Sequence, residues 1–321
     1  MKEKFRELEK IYNSKHLMVV GDVMLDKYIW GAINRISPEA PVPIVDIEKI
    51  ELHAGGAANV ARNISGLGGK VSLVGLIGND ASGNNLKSLL KEDNYSHHFL
   101  INDPNRKTTV KTRIIAHNQH VVRLDDESNT ILTDNILISL KRVIEALFDK
   151  VDGIIIQDYD KGLISPDFIS WIMVEAKKSY IPVYVDPKKK YFSCYKGARL
   201  FKPNYEEYLS DRSIEIDLQT DAEMYRVDNE YEILLITLGA DGMILFTDKN
   251  YYRIPTQARA VHDVSGAGDT VIATFALNDV CGIDPNESAI LANLAAGKVC
   301  EAVGVVPITQ KSLKEITEHY Q

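Results

Sequence analysis

The sequence predicts an α/β fold: a doubly wound, mainly parallel sheet flanked by helices, with a small β layer set into it. Short runs rich in Val, Ile and Leu recur along the chain, and helix-like segments alternate with them. Two stretches break that rhythm with the alternating pattern of strands exposed on one face.

The apolar runs are Leu17 to Val20, Val71 to Ile77, Gly153 to Ile156, Pro182 to Val185 and Ile233 to Thr237. Continuous apolarity of this length is what a strand covered by helices on both faces needs. Helical spacing is expected over Gly56 to Leu67, Asn84 to Glu92, Asp134 to Phe148, Pro166 to Lys178 and Glu287 to Val303. The rhythm of strand and helix is that of a doubly wound core. The two exceptions are approximately 29–54 and 108–126. The first alternates after Pro43, and the second reads as a hairpin with Asn118 and Gln119 in its turn. Together they are expected to form a β lid on a single domain of residues 1–321.

Composition narrows the function. The chain is 45% apolar and 26% charged, within the ordinary globular range. Its net charge of −8, without a basic block, argues against a nucleic-acid partner. Cys194, Cys281 and Cys300 are odd in number and widely spaced, which suggests neither a disulfide framework nor a zinc site and points to a reducing, cytoplasmic setting. The N-terminal segment around Phe5, Leu8, Ile11 and Tyr12 reads as a charged amphipathic helix, and no signal peptide or membrane span is expected.

The most informative stretch is Asp263-Val-Ser-Gly-Ala-Gly-Asp-Thr270, a small-residue turn placed just before a long apolar segment. Gly266, Ala267 and Gly268 let the backbone approach a ligand, and the N–H groups of a starting helix attract anions. Asp269 in the first turn gains from the helix dipole, which is expected to keep it ionised and able to accept a proton. Anion nest and carboxylate are the two halves of phosphoryl transfer. The same residues also fit an ordinary loop with a charge-favoured helix start.

Other motifs gather at the ends of expected strands, where open α/β sheets bind ligands. Asp22 ends the first strand and Asp26 follows four residues later; carboxylates there can hold sugar hydroxyls or simply cap a turn. Gly55-Gly56-Ala-Ala-Asn59 opens a helix with bare backbone, suited either to a ligand or to close helix–sheet packing. Asn204 and Glu207 can order water around Mg²⁺, or cap a helix reciprocally. Thr237-Leu-Gly239-Ala-Asp-Gly242 suits a nucleotide or a tight turn between strands. Lys161 and Lys188 sit in charged loops after strands, where they can meet phosphate or solvent. A Walker-type phosphate loop and a dinucleotide fingerprint are both absent.

Taken in order, Gly21-Asp22, Gly55-Gly56 with Asn59, Asn204-x-x-Glu207, Thr237-Leu-Gly239 and Gly266-Ala-Gly-Asp269 resemble the PfkB (ribokinase-like) carbohydrate kinases over nearly the whole chain. Within that family, Arg35-Ile-Ser-Pro-Glu-Ala-Pro-Val-Pro-Ile44 and the Gly-Gly-Ala-Ala-Asn-Val-Ala form are similar to kinases of D-glycero-β-D-manno-heptose 7-phosphate, which supply ADP-heptose for lipopolysaccharide or surface glycans. The resemblance implies ATP-dependent phosphorylation of the anomeric C1 hydroxyl to the 1,7-bisphosphate, with no covalent enzyme intermediate. It implies Asp269 as base, the N–H groups of Gly266 to Gly268 as anion hole, and Asn204 with Glu207 organising Mg²⁺ through water. Thr237, Gly239 and Gly242 would border the ATP, and Asp22, Asp26, Gly55, Gly56 and Asn59 would hold the sugar. Arg113, Lys161 and Lys188 are the candidates for the substrate's own phosphate, with Arg35 behind them. A monovalent cation is left open, and a homodimer through the lid is implied.

Two departures stand out. Many heptose kinases are fused to an adenylyltransferase whose H-x-G-H signature does not occur here, which reads as a stand-alone kinase or half of a longer protein. Asp186-Pro-Lys-Lys189 also carries Lys where the family has Gly. The competing expectations are a kinase of fructose 6-phosphate or ribose, and a non-catalytic sugar or nucleotide sensor.

Overall fold

In the computed structural model, β1 (His16–Gly21) lies inside a nine-stranded sheet, between β4 (Lys70–Ile77) and β8 (Gly153–Gln157), and is parallel to both. The structure describes residue 8 and residues 10–92, 97–117, 119–210, 212, 216–256 and 262–319. Of the expected N-terminal helix, residues 1–7 and 9 lie outside that set, while Leu8 and Tyr12 are buried.

From β4 the sheet continues to β5 (His97–Asn102); from β8 it continues through β9 (Val183–Asp186), β10 (Leu200–Phe201) and β11 (Ile233–Thr237), all parallel. Strands β12 (Met243–Phe246) and β13 (Tyr251–Ile254) close that edge antiparallel. Within β1 the side chains alternate between two cores. Leu17 and Val19 pack with helices α1 (Ala57–Gly66), α7 (Ala267–Val280) and α8 (Pro285–Val299). Met18 and Val20 pack with α3 (Asp134–Glu145), α4 (Pro166–Lys178) and α6 (Leu218–Asp228). Both faces of the sheet are therefore covered, which explains the unbroken apolar strands.

The expected doubly wound core is present, with several helix limits shifted: the helix expected from Asn84 starts at Ala81 and the one expected to reach Val303 ends at Val299. The segment expected from Glu287 starts at Pro285, because Asp284 caps it by accepting from the Asn286 and Glu287 N–H groups and proline suits the first helical position. The helix from Asp134 stops at Glu145 rather than Phe148, giving way to a 3₁₀ turn over Phe148–Lys150. Further helices are α2 (Ala81–Glu92), the short α5 (Tyr205–Ser210) and α9 (Gln310–His319).

The second sheet has four strands in the order β3 (Pro43–Gly56), β2 (Val23–Ile36), β6 (Thr109–Ala116), β7 (Gln119–Asp126). It begins at Val23 rather than near residue 29, because Val23 already pairs with Gly56 and the β2–β3 ribbon runs unbroken down to the core. Gln119 is not in the hairpin turn, because it pairs with Ala116; His117 is in the turn, and Asn118 lies outside the described residues. Among the described residues no helix is long and apolar enough to cross a membrane.

Candidate active site

Strand order reverses beside β1, and the carboxyl ends of β1, β8, β9, β10 and β11 open on one side of the sheet. Helix α7 starts there. Its cap Gly266 has φ 82°, a left-handed conformation natural only to glycine, and a side chain at that position would press on Nδ2 of Asn59. The turn therefore needs its glycine both for backbone geometry and for space.

Asp269 stands in the first turn of α7, buried, and three neighbours donate to its carboxylate. Asn59 Nδ2 reaches Oδ2 at 2.8 Å, while Tyr159 Oη reaches Oδ1 at 2.8 Å and Gln157 Nε2 reaches it at 3.2 Å. These donors come from α1 and from the end of β8. Burial pushes the Asp269 carboxyl up to about 7; the Asn59 and Tyr159 bonds and the Lys202 charge oppose the rise, and Asp186 adds to it. The expectation that the helix dipole keeps Asp269 ionised is thus corrected: at neutral pH the group is poised between its two forms, because loss of water outweighs the donors around it.

A second layer lies behind Asp269. Lys202, just past β10, pairs with Asp186 at 3.0 Å, and Gln157 Nε2 also donates to Asp186 Oδ2 at 2.9 Å. A Cβ added to Gly268 would find only the Lys202 ammonium at 3.5 Å and an Asp186 oxygen at 3.9 Å, so the backbone turn faces space and a fixed cation. Two buried acceptors beside Asp269, Oδ1 of Asn59 and Oε1 of Gln157, have no hydrogen-bond partner among the described residues.

The other residues singled out in the sequence divide into groups. Asp22 is buried, and its oxygens accept the main-chain N–H groups of Tyr159, Lys161 and Leu163 at 3.0, 3.0 and 3.3 Å, so it shapes the loop that presents Tyr159. Burial raises its carboxyl and those three bonds oppose the rise. Asp26, on β2, is ion-paired with Arg113 of β6. Gly55 touches that pair, since a side chain there would collide with Oδ2 of Asp26. Gly56 caps α1 at φ 60°, and a side chain there would collide with the Asp22 carbonyl oxygen. Ala267 leaves the expected trio of anion-binding amides, because its N–H is committed to the Val264 carbonyl at 3.2 Å.

Asn204 and Glu207 form the reciprocal cap at the start of α5: Glu207 N–H donates to Asn204 Oδ1 at 2.8 Å and Asn204 N–H to Glu207 Oε2 at 2.9 Å. Lys188 pairs with the other Glu207 oxygen and lies 5.7 Å over the Tyr159 ring. Asn204 also bridges to Thr237 at the end of β11. Gly239 and Gly242 make the turn from β11 into β12, with Gly239 exposed and Gly242 backed against the Ile254 carbonyl. Each cation considered for the substrate phosphate already has a carboxylate partner: Arg113 has Asp26, Lys188 has Glu207, and Lys161 has Glu127 at 2.8 Å. Arg35 lies exposed near the far end of β2, 3.9 Å from Asp46. Sequence reasoning missed Gln157, Tyr159, Asp186 and Lys202 as members of the cluster. Their shared signal is position, since each ends or directly follows a parallel strand.

Asn204 and Glu207 supply hard oxygen donors, but each already accepts a hydrogen bond. A carboxylate has about four lone-pair sites, so the pair fits a cation that keeps its own water shell better than one ligated directly. Among the described residues no group of three or more His, Cys, Asp or Glu side chains is arranged to hold a metal.

Residues 14–311 match the family described as pfkB family carbohydrate kinase. The chain is 37% identical over 310 residues to the Bifunctional protein HldE of Desulfatibacillum aliphaticivorans, covering 95% of this chain but 63% of that protein. Among solved structures it resembles phosphofructokinase-2 from Escherichia coli in complex with potassium, with TM-score 0.80 and 18% identity over 95% of this chain and 98% of the other. It also resembles Arabidopsis thaliana ribokinase complexed with ribose and ATP, with TM-score 0.74 and 20% identity over 95% and 99%. Likeness at that identity establishes the fold.

Proposed function

Because the chain belongs to the PfkB family of carbohydrate kinases, ATP-dependent phosphotransferases, we propose that it phosphorylates the anomeric C1 hydroxyl of D-glycero-β-D-manno-heptose 7-phosphate, a step toward ADP-heptose. Heptose is favoured by the Arg35 to Ile44 segment and the Gly-Gly-Ala-Ala-Asn-Val-Ala form, together with the likeness to proteins named HldE. The observation that carries the reading is the Asp269 carboxylate, held by three donors beside the glycine turn of α7.

In this reading Asp269 takes the proton of the sugar hydroxyl. The freed oxygen bonds to the γ-phosphorus, and the bond from that phosphorus to the β–γ bridging oxygen breaks, with ADP keeping the electron pair. Amides of Gly266 and Gly268, with the nearby Lys202 ammonium, face the migrating charge. The orphaned oxygens of Asn59 and Gln157 suit a ligand rich in hydroxyl donors, since buried acceptors without partners are costly. Asp26 and Gly55 would border the sugar; Thr237, Gly239 and Gly242 would border ATP; Arg113, Lys161 and Lys188 would exchange carboxylate partners for the substrate phosphate. When bound, Mg²⁺ offsets charge on the ATP phosphates, and Asn204 and Glu207 would hold its water shell. A monovalent cation belongs to the same proposal, as does a cytoplasmic location, where the free cysteines stay reduced. A homodimer through the lid is supported by its exposed apolar side chains Ile36, Ile47, Ile50 and Leu124; sedimentation at a single mass of one chain would remove it.

A coupled assay over heptose 7-phosphate, fructose 6-phosphate and ribose decides the substrate. Turnover of heptose 7-phosphate well above the others is expected. Strong turnover of fructose 6-phosphate with none of the heptose overturns the assignment, and tight binding with no turnover of any sugar would favour a sensor.

A further inference from the structure

The Asp269 carboxylate is held unevenly. Its Oδ1 receives two donors, the Tyr159 hydroxyl at 2.8 Å and the Gln157 amide at 3.2 Å, whereas Oδ2 receives the Asn59 amide alone at 2.8 Å. Each carboxylate oxygen has two lone-pair positions, so Oδ1 is filled and Oδ2 keeps one. We propose that Tyr159 is a positioning residue that fixes Oδ1 and thereby leaves Oδ2 as the oxygen that receives the acceptor proton. This rests on the reading of Asp269 as base.

Several features support the assignment. The main chain of Tyr159 is itself held, because its N–H donates to buried Asp22, so the hydroxyl is presented from a fixed loop. Burial, followed by the Asp269 charge, pushes the phenol well above its ordinary value, so Tyr159 stays a donor throughout the working pH range. Gln157 has no freedom to reverse its amide, since its Nε2 faces the carboxylates of both Asp186 and Asp269. The charged and titratable groups facing Asp269 are Asp186 from β9, Lys202 after β10 and Tyr159 after β8; Asp26, Asp186 and the Lys188 ammonium over its ring also face Tyr159. Tyr159 gives up no proton and forms no bond in the reaction.

The test replaces Tyr159 with Phe, which keeps the ring beneath Lys188 and removes only the donor. In full-length protein labelled with ¹³C-carboxyl aspartate, with Asp269→Asn used to assign the resonance, the Asp269 midpoint should move up by about one pH unit, because a bond to the charged form has been lost. The acid limb of kcat/KM should move with it, while the KM for ATP stays unchanged. Gln157→Met, removing the other Oδ1 donor, should give a smaller shift in the same direction and serves if the first variant does not fold. An unmoved midpoint in a folded variant, or an activity loss of equal size at every pH, overturns the proposal. The resonance is read without substrate, so this failure differs from failure of the base reading, which would be full turnover by Asp269→Asn.

Discussion

Lys202 and Asp186 form an ion pair at 3.0 Å with side chains only 4% and 13% exposed, directly beneath the glycine turn that starts α7. Replacing Lys202 with Met leaves Asp186 buried without its cation and beside another carboxylate, a change that costs about 3–5 kcal/mol in comparable buried pairs. A melting temperature several degrees below wild type is expected, with much of the loss recovered when Asp186→Asn is added. Thermal unfolding of the single and double variants checks this, and equal losses in both would show that the pair is not the cause.

Asp269→Asn keeps the shape of the side chain and removes the proton acceptor. Turnover should fall by roughly 10²-fold or more while ATP and sugar affinities stay near wild type. Steady-state kinetics beside calorimetric binding separates these effects; weakened binding at normal turnover would assign Asp269 to ligand contact instead.

The pH profile follows from burial of the same group. With its carboxyl near 7, Asp269 is protonated below that value and unable to act as base. The acid limb of kcat/KM should therefore bend near pH 7, far above an ordinary carboxylate. A profile flat down to pH 5 would contradict it.

Asp158 gives a matching expectation for stability. Burial pushes its carboxyl up to about 7, against the bond from the Asp160 N–H. Its folded value exceeds the unfolded one near 3.8, so its contribution is fully present below that lower value and is lost as pH rises through 7. Asn at this position can still accept from Asp160 and donate to the Tyr195 hydroxyl. The melting temperature of Asp158→Asn relative to wild type should thus climb between pH 5 and pH 8. Parallel melts across that range are the measurement, and a constant difference would refute it.

Gly55→Ala would drive a methyl group into Asp26 and disturb its pair with Arg113. A raised KM for the sugar with little change in the KM for ATP is expected, readable in the same kinetic assay.

Much of this architecture was legible because burial on both faces writes itself into a strand as an unbroken apolar run, as at Leu17 to Val20. The glycine turn and Asp269 were legible for a related reason, since few residue types permit that backbone. The short strand that Asn204 follows was legible from the motif that closes it, although Leu200 and Phe201 alone are too short a segment to show a period. The Asp269 neighbours were hidden because Tyr159 and Lys202 look like ordinary loop residues until β8, β9 and β10 are set in one sheet. Charge state was the least visible feature. The dipole argument for Asp269 used local sequence, whereas its proton affinity follows first from burial and then from groups distant in the chain, Asn59, Asp186, Tyr159 and Lys202.

Residues Asp269 to Asn278 are buried without interruption, so α7 has packed neighbours all around it. A rod clamped in this way cannot rotate or slide to meet an arriving molecule. Hydrogen–deuterium exchange should therefore find the α7 amides among the slowest in the chain.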